Sequence, residues 1–460
     1  MSIESKLAFL QETKAANAQT KAYQRLQLLF DEGTFVEIDS FTKSGDGRAE
    51  AAAGFGSVDG CPVYAFAQNS DVEGGAMSKA QAAKICKVYE LAEKTGAPVV
   101  GIYDSIGARL NESCEMLAAY GDVMLKANNL SGVVPQIAVI AGPCLGASSM
   151  IAAAADVVIM SEDGQFALQT NGEGGDLKEA SESGLVHLTA KDDKEAVAKA
   201  RELITLLPSN NLSGAPITDF ADSAAETDGE SGASIIAAVM DQDSFIEFQA
   251  GFGAGFIAGL AKLGGNTVGV VASEEKTADG KACEKAARLV RFCDAFAIPV
   301  ITFVNAESFC CIKAACKLTN AYAEATTAKI SVITGEAYGA VYMALAGAAA
   351  GVDVAYAWPT ASISALYAWP TASISALNPT TAAVMLWSDK LKGSSNPTAD
   401  RAKLIAEYKD QEACPFKAAG DGFVQDVIEP SETRLKLYAA LDMLAGKRVT
   451  RLPKKHANNL

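Results

Sequence analysis

Histidine is almost missing from this chain: His187 and His456 are the only two in 460 residues. A histidine-based nucleophile triad or a histidine-rich metal centre is therefore excluded, and a mechanism that needs no imidazole is favoured. The ten cysteines contain no Cys-x-x-Cys pair, and only Cys310-Cys311 is adjacent. Cys86, Cys283 and Cys293 fall in helix-patterned stretches, so reduced, mostly buried thiols are expected rather than disulfides or zinc ligands. No metal site is expected. Long apolar runs are also lacking. Gly, Ser, Asp or Lys interrupts every candidate before the roughly 18–20 residues of a membrane span. The opening MSIESKLAFLQETKAANAQTKAYQRL is polar and helix-like, without the apolar core of a signal peptide, which points to a cytoplasmic protein. Basic residues are in deficit, with a formal net charge of −16. Nucleic acid and anionic membrane, which need basic stripes, are excluded as partners.

What is present is a duplication. A single core stops growing near roughly 250–300 residues, so this length predicts two domains. The first half reads FGSVDGCPVYAFAQN, AQAAKICKVYELAEKTGAPVVGIYDS and PQIAVIAGPCLGASSMIAAAADVVIM. The second reads LAKLGGNTVGVVASE, EKAARLVRFCDAFAIPVITFVNA and AKISVITGEAYGAVYMALAGAAAGVDVAYAWP, in the same order. Each copy has a short strand, then a helix with Lys or Arg on its expected outer face, then two buried strands. Pro98 to Ile102 and Ile137 to Ile140 are the strands of the first copy, and Pro299 to Phe303 and Ile330 to Ile333 those of the second. Continuous apolar strands alternating with helices predict α/β domains, each sheet covered on both faces. The Pro/Ser/Asn/Gly stretch LLPSNNLSGAP reads as a linker. Domains of 1–225 and 226–460 are expected. One oddity stands apart: YAWPTASISAL occurs at 356–366 and again at 367–377. A displaced strand register would move side chains to the wrong face. A recent slip, looped out or extending an edge, is expected there.

The chemistry-bearing signal is a strand–turn–helix unit, present in both halves. In the first it runs from Val139 through Gly142, Cys144 and Gly146 to Ala147, and in the second from Gly335 through Tyr338 and Gly339 to Ala340. Such a turn leaves backbone N–H groups free to hold an anion. The preceding strand end, Asp104 to Arg109, offers a second donor, and two converging donors make an oxyanion hole suited to a thioester enolate. A single glycine turn is more often close packing of helix on strand, so the weight lies in the second copy.

The chain resembles the acyl-CoA carboxyltransferase family: the β subunits of propionyl- and acetyl-CoA carboxylases, the transcarboxylase large subunit and the α subunits of sodium-pumping decarboxylases. The resemblance runs nearly end to end. It rests on Leu29 to Phe35, Gly74-Gly75, Thr95 to Val100, Gly107-Ala108-Arg109, Gly142-Pro143-Cys144 and Leu207 to Asn211. It continues through Arg291 to Phe296, Ala337-Tyr338-Gly339, Ala357 to Thr360 and Val427 to Pro430. It implies two tandem crotonase-like β/α spiral domains, acyl-CoA bound by the first and biotin by the second. The implied activity moves a carboxyl group between carboxybiotin and an acyl-CoA such as propionyl-CoA or methylmalonyl-CoA. Carboxybiotin releases CO2, the ureido anion takes the α-proton, and the enolate captures CO2. By the same resemblance Gly107, Ala108, Gly146 and Ala147 stabilise the enolate, and Gly339 and Ala340 face the ureido oxygen. The implied cofactor contacts are Gly74, Gly75, Ser308, Phe309 and Tyr338. The implied partners are a biotin carboxyl carrier protein, a biotin carboxylase subunit and further copies of this chain, dimer to hexamer, with composite sites between unlike halves. The Gln249 to Leu260 stretch is expected as interface surface.

Several positions depart from the family pattern. Ile106 and Ala147 stand where glycines are expected. Glu336 replaces a basic residue, and Asn305 to Cys311 replaces a Pro- and Gly-rich biotin loop, with about ten residues absent after it. Asn378 to Ala382 replaces a Gly-Pro-Glu-Gly-Ala stretch, and the segment from Asn171 to Glu182 is short. These departures keep two alternatives open, a biotin-independent crotonase-like acyl-CoA enzyme and a non-catalytic scaffold. Arg109 is expected as an ion-pair partner, Cys144 as a buried thiol, and Trp358 and Trp369 as core or interface anchors. Lys454-Lys455 is expected as a solvated tail.

Overall fold

The computed structural model describes residues 2–44, 48–169, 174–219, 222–223, 231–359, 373–375, 378–392, 394 and 396–450. Two compact units are present, Met1–Pro216 and Ile217–Leu460. The expected boundary at 225/226 lies outside the described residues.

In the first unit the strands are β1 (Val36–Glu37), β2 (Ala51–Val58), β3 (Cys61–Gln68), β4 (Val99–Ser105), β5 (Gln136–Leu145), β6 (Val157–Ser161), β7 (Gln165–Ala167) and β8 (Leu188–Ala190). Among the described residues they form one sheet, ordered β1-β2-β3-β4-β5-β6-β8 with β7 on β5. The β1–β2–β3 pairings are antiparallel, and β3 through β8 run parallel. Every residue of β4 is buried, as a parallel strand covered on both faces requires. The Lys79–Thr95 helix leads into it. Ser78 caps that helix by accepting from Gln81 N, and Gly96 ends it in the left-handed region at φ 66°. Phe66, Tyr89, Tyr103, Val123, Ile140 and Met160 build the core.

The second unit repeats this plan with β9 (Ile246–Glu247), β10 (Phe256–Leu263), β11 (Asn266–Ser273), β12 (Thr277–Ala278), β13 (Val300–Ala306), β14 (Ser308–Phe309), β15 (Lys329–Tyr338), β16 (Val354–Ala357), β17 (Ser373–Ser375) and β18 (Asp426–Val427). The sheet order is β18-β16-β15-β13-β11-β10-β9 with β17 on β15, and β12 pairs β14 separately. Asp279 caps the Gly280–Ala295 helix as Ser78 does its counterpart. Trp358 is fully buried beside Val270, Phe303 and Leu437, and its Nε1 donates to Thr433 Oγ1 at 2.9 Å. Trp369 and Lys454-Lys455 lie outside the described residues.

The duplication reaches side chains that the sequence reading did not pair. Asp31 accepts from the N–H groups of Asp59 and Gly60 in the β2–β3 turn and from Arg201 Nη2 at 2.8 Å. Asp241 accepts from Gly264 and Gly265 in the β10–β11 turn and from Arg434 Nη2 at 2.6 Å. Lining up LFDEGTFVEI with VMDQDSFIEF would have found this clasp.

Two expectations need correction, and a third is refined. The outer helix faces carry Lys87 and Lys94 in one helix and Arg288 and Arg291 in the other, as expected, whereas Lys84 and Lys285 are buried. Lys84 donates to Ala51 O at 2.8 Å, and Lys285 pairs with Glu247 at 3.0 Å. Burial lowers both pKa values, and nearby carboxylates work against it. Most of the Gln249 to Leu260 stretch is not exposed surface, with Ala250, Gly251 and Ala254 the exceptions. Gln249, Phe256, Ala258 and Leu260 are buried within their own unit, because β10 lies inside the sheet between β9 and β11. Finally, the second repeat copy extends no edge: Ser373–Ser375 pairs with β15 opposite Glu336 to Tyr338.

Candidate functional site

The site begins where β4 and β5 stop pairing regularly. Their register shifts between Tyr103 and Ser105. Asp104 turns toward Gly142, where an added Cβ would meet its Oδ1 at 2.3 Å. Asp104 accepts from Arg25 Nη1 at 2.6 Å and from Ser70 Oγ at 2.7 Å. Arg25 also reaches Asp193 at 2.9 Å and Ala141 O at 3.1 Å. This buried charge cluster fixes the loop that follows, since leaving any member unpaired is costly. Nothing in the sequence pattern flagged it, because its members are joined only by folding.

Beyond it, backbone pairing uses up most donors. Ile106 N donates to Gly74 O, Gly107 N to Ser105 Oγ, Met77 N to Gly107 O and Arg109 N to Met77 O. On the neighbouring loop Gly146 N donates to Ala167 O at 3.0 Å. Among the described residues, the N–H groups of Ala108 and Ala147 have no acceptor. The two loops are adjacent, because Ser105 pairs with Cys144, three residues before each of these alanines. The expected donors are thus refined. Gly107 and Gly146 spend their N–H groups on the fold, and the alanine after each keeps its own free. Gly146 supplies the turn instead, at φ 66°, ψ −138°, where an L side chain is strained.

Gly74 and Gly75 have a packing role in this frame. An added Cβ on Gly75 would meet Asp104 O at 2.0 Å, and one on Gly74 would meet Ile106 Cδ1 at 2.9 Å. Ile106 therefore stands against the bare Gly74 and remains half exposed. Arg109 is an ion-pair partner, 3.2 Å from Glu50 and 2.9 Å from Glu73. Cys144 is fully buried, which raises its pKa and keeps the thiol protonated.

In the second unit Ala306 pairs with Ala337, three residues before Phe309 and Ala340. Gly335 to Tyr338 is strand rather than turn, and the bend falls at Gly339, with φ 46° and ψ −110°. Ala340 N has no acceptor among the described residues. A cleft of about 530 Å³ brings together Ser308, Phe309, Tyr338, Gly339 and Ala340, the five positions expected in this half. Glu307 and Asn378 also line it, and sequence reasoning missed Glu307 as a wall residue. Asn378 Nδ2 donates to Glu307 at 3.0 Å. Tyr338 Oη donates to Glu336 at 3.2 Å, while Lys276 and Lys409 approach Glu336 at 3.1 and 3.6 Å. Burial and the facing Glu336 carboxylate raise the Glu307 pKa. Burial pushes Glu336 up too, but Lys276 and Lys409 outweigh it and hold Glu336 below its ordinary value.

The chain matches the carboxyl transferase domain family over residues 14–459. It belongs to the carboxyl transferase family. Methylmalonyl-CoA decarboxylase subunit alpha of Veillonella parvula is 36% identical, over 97% of this chain and 94% of that protein. The methylmalonyl-CoA carboxyltransferase 12S subunit of Propionibacterium freudenreichii subsp. shermanii is 34% identical, over 97% and 93%. The crystal structure of transcarboxylase 12S, a hexamer with methylmalonyl-coenzyme A and methylmalonic acid bound, superposes with a TM-score of 0.90 at 31% identity, covering 100% of this chain and 99% of that one. Family membership gives the two sets of loops a shared context: each carboxyl transferase unit here carries one. Among the described residues, no helix is long and apolar enough to cross a membrane.

Proposed function

We propose that the chain is the carboxyltransferase subunit of a biotin-dependent acyl-CoA carboxylase or decarboxylase, acting on an acyl-CoA such as propionyl-CoA or methylmalonyl-CoA. The observation that carries this reading is the full-length similarity to a structure holding methylmalonyl-coenzyme A. The two equivalently built loop pairs support it, as does a crotonase-like reading of each unit.

In the first unit the Ala108 and Ala147 N–H groups donate to the thioester oxygen as it gains negative charge. Fixed donors aimed at developing charge are worth more than mobile water. Gly107 and Gly146 hold the two loops in shape, Gly75 lets the chain pass close to Asp104, and Gly74 makes room for Ile106. In the second unit Phe309 and Ala340 occupy the equivalent backbone positions, and Phe309 and Tyr338 give aromatic walls. A cleft of about 530 Å³ with a free N–H and a carboxyl group suits a small bicyclic head group bearing a carbonyl and ring N–H groups. Biotin, when brought in on a separate carrier protein, supplies the nitrogen that holds the carboxyl group in transit. A biotin carboxylase subunit is the implied partner in the carboxylating direction, and a homo-oligomer, dimer to hexamer, the implied assembly.

The test is transfer of radiolabel from carboxyl-labelled methylmalonyl-CoA to biotin, with the purified chain. Biotin-dependent transfer is expected. The replaced loop and Glu336 favour one second reading, a biotin-independent crotonase-like enzyme. Loss of label from methylmalonyl-CoA at the same rate with and without biotin would select it.

A further inference from the structure

Strand register makes Ile106 and Glu307 equivalent. Each follows the paired residue at the end of its strand, Ser105 opposite Cys144 and Ala306 opposite Ala337. Each precedes by two residues a position bridged to the preceding segment, Ala108 with Met77 and Phe309 with Ala278. The two sites therefore share a backbone frame and differ in what this side chain presents beside it. In unit 1 it is an aliphatic group, 51% exposed and seated on the bare Gly74. In unit 2 it is a carboxyl group on the wall of the cleft that contains Phe309 and Ala340. The surroundings are built to match. Around Ile106 the nearby charges are already committed, Asp104 to Arg25 and Arg109 to Glu50 and Glu73. Around Glu307 the neighbours are hydrogen-bonding groups, Asn378 and Glu336, with Lys276 behind.

We infer that this position determines ligand class in each half: Ile106 selects an aliphatic acyl group, and Glu307 selects a polar head group that donates N–H bonds beside its carbonyl, as a cyclic urea does. A carbonyl held by backbone N–H leaves an adjacent ring N–H facing the wall. A carboxyl group there accepts it, and an aliphatic wall leaves it unpaired and desolvated. The reverse holds for an acyl chain, which gains contact with Ile106 and loses it against a charge.

The inference rests on the proposed function, and the experiment separates the two. Full-length protein is titrated calorimetrically with propionyl-CoA and with biotin methyl ester, whose blocked carboxyl avoids repulsion from the acidic chain. Glu307→Ile is expected to weaken the biotin ester by about tenfold or more, the scale of one hydrogen bond to a charged group, and to shift propionyl-CoA by less than about twofold. Ile106→Glu is expected to do the opposite. Glu307→Gln, which keeps shape and hydrogen bonding but not the charge, serves as the variant least prone to misfold and should give a smaller loss for the ester alone. Wild-type protein that binds both ligands while the variants change both equally, or neither, overturns this inference and leaves the carboxyltransferase reading standing. Wild-type protein that binds neither overturns both.

Discussion

At the scale of single residues, the site depends on which backbone donors remain unspent. Ala147 is the first residue of its helix, a position that tolerates proline. Ala147→Pro therefore removes the free N–H with little damage to the fold. We expect kcat to fall by about 10²–10³, with the thermal midpoint nearly unchanged. A folded variant with wild-type kcat would remove Ala147 from the mechanism. Gly146→Ala should act differently. It keeps every N–H but forces a side chain into a left-handed conformation, costing about 1–2 kcal/mol of stability. Arg25→Met tests the frame behind the loop. It strands Asp104 in a buried site, and urea unfolding should show a loss of about 3–5 kcal/mol. The glycine-rich turns were legible in the sequence. The identity of the free donors was not, because Gly146 loses its N–H to Ala167, a partner chosen by strand pairing.

At the scale of elements, register explains how the repeat is tolerated. In unit 1 the partners of β5 jump from Met160, opposite Ile140, to Gln165, opposite Pro143. In unit 2 the partners of β15 jump from Ala357, opposite Ile333, to Ser373, opposite Glu336. The first jump is five residues and the second sixteen, a difference of eleven, the length of one YAWPTASISAL copy. The extra copy therefore leaves the strand order and the faces of both flanking strands as they are in unit 1. Deleting residues 356–366 should leave the far-ultraviolet circular dichroism and the thermal midpoint within experimental scatter of the parent. A molten or aggregated product would show that the extra copy does more than lengthen a connection. The aspartate clasps make a second prediction at this scale. Arg201, with the N–H groups of Gly60 and Asp59, holds the Asp31 carboxylate below its usual range. A depressed folded pKa gives stability that is present above the unfolded value of about 4 and lost as pH falls toward the folded one. Asp31→Asn should thus lower the midpoint at neutral pH and flatten its decline in acid, measured by thermal melts at a series of pH values.

For the molecule as a whole, the proposed function requires an acyl-binding and a biotin-binding set of loops to work together within a few ångströms, roughly the reach of a bound reactant. The proposed composite sites give a direct test. Ala147→Pro protein mixed and reassembled with Ala340→Pro protein should recover part of the transfer activity, and neither alone should show it. Recovery that never exceeds the sum of the two separate preparations would mean that each chain works alone. Sedimentation equilibrium should find an oligomer, and a fully active monomer would rule the assembly out.

Histidine scarcity, the paired strand–turn–helix units and the doubled α/β pattern were determined by the sequence alone, because each depends on residue type and short-range spacing. The same holds for buried Cys144 and the ion-paired Arg109, whose neighbours in sequence already limit their options. Tertiary structure decided the rest. It set Lys84 and Lys285 inward, since a buried carbonyl and a distant Glu247 supply partners that no local pattern encodes. It buried Phe256, Ala258 and Leu260 by placing β10 between two strands. It left Ala108 and Ala147 with the free donors, and it put Glu307 on the wall of a cleft and Ile106, half exposed, at the equivalent strand end of the other unit. Those outcomes turn on which strands pair and in what register, and that is fixed only when residues far apart in the chain come together.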